Sequence, residues 1–81
     1  MENHNVKELL TYIVRSLVQD PDAISVNEVE AGDTLTLQLR VAPDDMGKVI
    51  GRQGRIAKEI RALMRSVAQR QGKKISVDIV D

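Results

Sequence analysis

Apolar side chains recur along this chain with two different periods, and the switches between them mark its elements. Val6, Leu9, Leu10, Ile13, Val14, Leu17 and Val18 follow the spacing of one helix face. That spacing predicts a helix over 5–19, opened by Asn5 with Glu8 three residues on in the manner of a capping box. Asp20-Pro21-Asp22 closes it, because proline lacks an amide and disfavours α backbone at the residue before it. From Ala23 to Val41 the period becomes two: Leu35, Leu37, Leu39 and Val41 alternate with Thr34, Thr36, Gln38 and Arg40. Ile24 and Val26 begin a preceding strand, in which Val29 falls out of phase and predicts a bulge or an early strand end. Ala31-Gly32-Asp33 joins the two strands as a hairpin. Ile75, Val77 and Ile79 alternate with Ser76, Asp78 and Val80 as a third short strand.

Two helices fill the interval. Pro43-Asp44-Asp45 opens a short one, with proline suited to its first turn and the aspartates acting as capping carboxylates at its positive end. It runs to Ile50 and breaks at Gly51. A second begins near Arg55 and ends at Gln71-Gly72, where glycine makes a good C-terminal cap. The order α-β-β-α-α-β predicts an α+β fold with a three-stranded sheet packed by helices on one face, in one domain over 1–81.

The stretch VIGRQGRIAKEI, Val49 to Ile60, raises a question of cost, because a glycine inside a helix loses about 1 kcal/mol relative to alanine and this region has two. On a helical wheel Ile56, Ile60, Leu63, Met64 and Val67 share a core-facing arc. Arg55, Lys58, Arg61 and Arg65 form a basic stripe beside it, with Glu59 the one acid of the helix. The stripe starts at the loop Gly51-Arg52-Gln53-Gly54. Without Cβ atoms, its glycines permit a tight turn and a close approach by a sugar-phosphate chain. Amides at the start of the next helix favour an anion, and Arg52 and Gln53 add a cation and an amide group. Val49, Ile50 and Ala57 are candidates for an apolar groove floor, and Val49 and Ile50 equally for the core. Gly47 reads as close packing or flexibility in the short helix.

Charge sharpens this picture. Lysine and arginine balance aspartate and glutamate at 12 each, but residues 1–45 hold three basic and nine acidic side chains, and residues 46–81 nine basic and three acidic. Such asymmetry points to a polyanion-facing surface. Tyr12 is the only aromatic residue, so base stacking on aromatic platforms is excluded. The chain has no cysteine, its one histidine is His4 near the terminus, and its serines have no evident base nearby, so no enzyme, metal site or cofactor is expected. Gly54 is followed by Arg55-Ile56, which excludes a Walker-type phosphate loop. No apolar run approaches a membrane span and the N-terminus lacks a secretory pattern, so a cytoplasmic location is expected.

The segment VIGRQGRIAKEI resembles the signature of the KH domain, whose G-x-x-G loop clamps about four nucleotides of a single strand. The element order resembles the type II arrangement, and the whole chain is similar to the small bacterial KhpA-type RNA-binding proteins. Ala57 departs from the pattern, which favours a larger aliphatic there. The resemblance implies single-stranded RNA contacted by Lys48, Gly51, Arg52, Gln53, Gly54, Arg55, Lys58 and Arg61. It also implies a homodimer, a heterodimer with a larger Jag-type KH-containing protein, and a role as RNA chaperone or post-transcriptional regulator in cell elongation or division. Two alternatives stay open: a KH-like dimerisation adaptor, and a binder of single-stranded DNA.

Overall fold

The computed structural model describes residues 6–80, so the expected Asn5 cap and His4 lie outside the described residues. Its first helix, α1 (Val6–Arg15), buries Val6, Leu10 and Val14, the inner line of the predicted stripe. The helix ends well before Pro21. Ser16 Oγ bonds the Tyr12 carbonyl, the acceptor its own amide would take in a continued helix, and that amide turns to Ile13 at 3.2 Å instead. Leu17 and Val18 still pack against the core from the turn that follows.

The hairpin strands β1 (Ser25–Ala31) and β2 (Thr34–Arg40) pair antiparallel, and β3 (Lys74–Ile79) joins β2 in parallel, giving the order β1-β2-β3. Leu35, Leu37 and Leu39 stand opposite Ile75, Val77 and Ile79, so the core faces of β2 and β3 coincide, as their period-two patterns require. No bulge interrupts β1: its register runs unbroken from Ser25–Arg40 to Ala31–Thr34. Val29 simply points to the open face, opposite Thr36, and is exposed. Glu28 and Glu30 consequently share the core side of β1, beyond the reach of the helices, and are exposed.

A single 3-10 turn at Pro43–Asp45 leads into α2 (Met46–Ile50), and α3 (Arg55–Arg70) follows the glycine loop. Leu10, Leu37, Leu39 and Met64 are among the largest fully buried side chains. Each removes apolar surface worth roughly 1.5–3 kcal/mol from water. The buried line of α3 is Ala57, Ile60, Met64 and Ala68. It is centred closer to the two alanines than to the larger apolar residues, so Leu63, expected in the core, lies at the rim and is 48% exposed. Close approach of α3 to the sheet requires the small side chains at the centre. Among the described residues, no helix is long and apolar enough to cross a membrane.

Candidate nucleic-acid interface

Asp45 sets the position of α2. It is buried, and its carboxylate accepts the amides of Gln19 at 3.1 Å and Asp20 at 3.0 Å, with Lys48 Nζ at 3.3 Å. It makes no side-chain cap on its own helix, contrary to the expected local role. It ties the turn after α1 to the root of α2 instead. The bond from the Gln19 amide, helped by that of Asp20 and by Lys48, outweighs burial and holds its carboxyl below the usual aspartate range. Lys48, expected to contact RNA, thus has one donor bound to Asp45 while its side chain remains 42% exposed. An ammonium has three donors, so outward contacts remain open to it.

From that root α2 presents Val49 inward, fully buried, and Ile50 outward, 36% exposed. Of the two floor candidates Val49 is core and Ile50 is accessible, while Ala57 is buried. The two loop glycines have different reasons to be glycine. Gly51 has φ 77° and ψ 173°, a region that essentially only glycine occupies. A Cβ on it would lie 2.6 Å from Ile56 Cγ1 and 2.9 Å from the Ile56 amide nitrogen. Gly54 adopts the left-handed conformation at φ 75°, and a Cβ there would meet nothing within 4 Å. Close approach at Gly51 is therefore internal, by Ile56, whereas Gly54 faces open space. Gln53 also has positive φ, 58°, which turns the exposed Arg52-Gln53 pair outward as the tip of the loop. Gly47 has no neighbour within 4 Å of a built Cβ, so packing within the chain does not account for it.

The amide donors expected at the start of α3 are partly engaged. The Gly54 amide donates to the Gly51 carbonyl at 3.1 Å, and the Arg55 amide to the Arg52 carbonyl. Anion contacts at the loop consequently fall mainly to the side chains of Arg52, Gln53 and Arg55, all exposed, joined by exposed Lys58 one turn on. Arg61 is different. Its Nε donates to the Val77 carbonyl of β3 at 3.0 Å, which holds the guanidinium half-buried against the sheet edge. Arg65 lines the same cleft with Arg61, Ser76 and Asp78. The expected site residues thus divide into a loop group and a sheet-edge group. Arg65 belongs with the second, and its i+4 spacing from Arg61 was the signal for it.

A helix, a G-x-x-G turn and a second helix set on a sheet with parallel β2 and β3 define a type II KH domain. The model of the family "KhpA/KhpB, KH domain" matches residues 7–79, and the chain belongs to that family. The RNA-binding protein KhpA of Clostridium perfringens is 48% identical over 93% of this chain and 100% of its own length. Those of Halalkalibacterium halodurans and Chlamydia trachomatis are each 43% identical over 94% of this chain, spanning 100% and 97% of their own lengths. Among solved structures, Era in complex with MgGDPNP and nucleotides 1506–1542 of 16S ribosomal RNA superposes with a TM-score of 0.66 at 20% identity. The match covers 91% of this chain and 28% of that one, and shows the common fold.

Proposed function

We propose that this chain binds single-stranded RNA across the Gly51–Gly54 loop and the basic side of α3. The observation that supports it most is the loop tip: Arg52, Gln53 and Arg55 stand exposed around a Gly54 with nothing within 4 Å of its missing side chain. A sugar-phosphate backbone can approach there while cations flank it. RNA in preference to DNA follows from the KhpA relatives, whose names describe them as RNA-binding. Three to five neutralised phosphates give log Kd against log salt a slope of about 2 to 3.5, at roughly 0.7 per contact on a single strand. Fluorescence anisotropy with single-stranded and fully duplex RNA measures it; a slope near zero, or equal binding of the duplex, refutes the reading.

The proposal extends to self-association and to a Jag-type KH-containing partner. Self-association rests on kinship with the KhpA/KhpB family, and Tyr12, 70% exposed, and Leu63, 48% exposed, are large uncovered side chains at which it can be tested. The Jag-type partner and a post-transcriptional role in cell elongation or division rest on kinship with the KhpA/KhpB family. Independent elution of the two purified proteins in size-exclusion chromatography at tens of micromolar would remove that pairing.

A further inference from the structure

We infer that Gln53, at the tip of the loop, reads the sugar of the bound strand through a ribose 2′-hydroxyl and so sets a preference for RNA over DNA. This rests on the RNA-binding reading above. Among the described residues five have positive φ, and four of them are glycines: Gly32, Gly51, Gly54 and Gly72. Gln53 is the exception, at φ 58° and ψ 26°. Left-handed backbone strains an L-residue, and glycine, asparagine and aspartate tolerate it better than glutamine does. Nothing inside the chain accounts for the glutamine, because its side chain is exposed and bonds to no described residue. A strained position whose side chain has no internal role points to a contact outside the chain.

The chemistry of the tip says which contact. Arg52 and Arg55 stand on either side of Gln53-Gly54, both exposed, and supply the cations that phosphates attract. A phosphate oxygen only accepts, whereas a carboxamide offers an acceptor oxygen as well as two donor hydrogens. Along a nucleic-acid backbone the group that both donates and accepts is the 2′-hydroxyl, and DNA lacks it. Base edges also combine donors with acceptors, but a G-x-x-G loop takes the backbone of its strand. Gln53 adjoins Gly54, where a Cβ would meet nothing within 4 Å, so a sugar can come within reach of the carboxamide. Such a bond, made in contact with water between neutral groups, is modest and changes affinity by about fivefold.

Two variants test it. Gln53→Met keeps the length and the backbone demand but removes donor and acceptor, and Gln53→Gly removes the side chain together with the strain. Anisotropy compares them with the parent on random-sequence octamer pools of RNA, DNA and 2′-fluoro RNA, which keeps the ribose pucker without the hydroxyl. The parent binds RNA about fivefold more tightly than either other pool. Both variants lose that factor on RNA and bind DNA as the parent does, and Gln53→Gly melts no lower than the parent. A parent that binds 2′-fluoro RNA like RNA overturns the inference, because pucker and not the hydroxyl is then read. An equal loss on RNA and DNA also overturns it and assigns the carboxamide to phosphates or bases. Variants that keep the parent's preference overturn it while leaving the loop reading intact. Failure of the parent to bind any pool removes the RNA-binding reading together with the inference.

Discussion

Replacing Arg52 and Gln53 together with aspartate separates what the loop does from what holds it. The pair changes from one positive charge to two negative ones while both glycines stay, so the turn keeps its backbone requirements. Both side chains are exposed. Position 53 has φ 58°, a conformation that aspartate adopts more readily than most residues. The folded state therefore changes by no more than about 0.5 kcal/mol, within about 4 °C in Tm for a domain of this size. Binding responds differently. A carboxylate about 6 Å from a phosphate is repelled by roughly 0.7 kcal/mol in water, and a Debye length of about 8 Å halves that. Two such carboxylates and the lost Arg52 contact, at about 0.7 kcal/mol, together reach about 1.4 kcal/mol, or tenfold in Kd. Circular dichroism melting and anisotropy on the same samples measure both effects. A variant that melts like the parent and binds RNA like the parent would sink the functional reading, because the G-x-x-G loop would then be only a turn.

Three further outcomes follow from the packing. Gly51→Ala is expected to cost roughly 2–4 kcal/mol, since it adds a clash with Ile56 to a glycine-only conformation, whereas Gly54→Ala costs about 1 kcal/mol; equal melting temperatures for the two would contradict this. Asp45→Asn should lower Tm by several degrees near neutral pH. Because the folded carboxyl titrates below its unfolded value, the stability Asp45 supplies is complete above the ordinary aspartate range and is lost as pH falls through the lower folded value. The Tm gap between parent and variant therefore narrows in acid, and a gap independent of pH refutes that account. Leu63→Glu is expected to abolish concentration-dependent mass in sedimentation equilibrium without lowering Tm, and a parent that stays monomeric at high micromolar concentration removes the homodimer.

Most of the architecture was legible because each element carries its own period. Leu35, Leu37 and Leu39 declare a strand regardless of partner, and the α1 stripe declares a helix whatever it packs on. What escaped depends on contacts between distant positions. The α1 stripe runs on to Val18, but after Arg15 the amides of Ser16 and Leu17 turn to the carbonyls three residues back, a tightening of the last turn that the apolar period does not announce. Asp45 looks like any aspartate beside a helix start, and its bonds to Gln19 and Asp20 span some 25 residues of sequence. A wheel places Leu63 among apolar residues, but Ala57 and Ala68 set where the sheet sits against α3. The glycine loop and its flanking cations were readable in place. Lys73 was visible only as charge, since nothing local shows that the start of β3 returns alongside Arg65.

Zero net charge says little about this molecule, because its acids and bases occupy different parts of the fold. Three acids of the first half meet structural needs. Asp45 is internal, satisfied by two amides and Lys48. Glu28 and Glu30 stand on the core side of edge strand β1, where a further strand would have to bury them. Charges in that position oppose edge-to-edge pairing. At the other edge, the guanidinium of Arg61 occupies the Val77 carbonyl of β3. At the start of β3, Lys73 and Lys74 share a cleft with Glu30 and Asp33, and those acids offset the positive charge there. Arg61 and Arg65 line a separate cleft in which Asp78 is the one acid, so the excess of positive charge lies on the α3 side. A polyanion meets that local field and not the zero total, which is balanced in part by acids that serve the fold, Asp45 inside it and Glu28 and Glu30 at its edge.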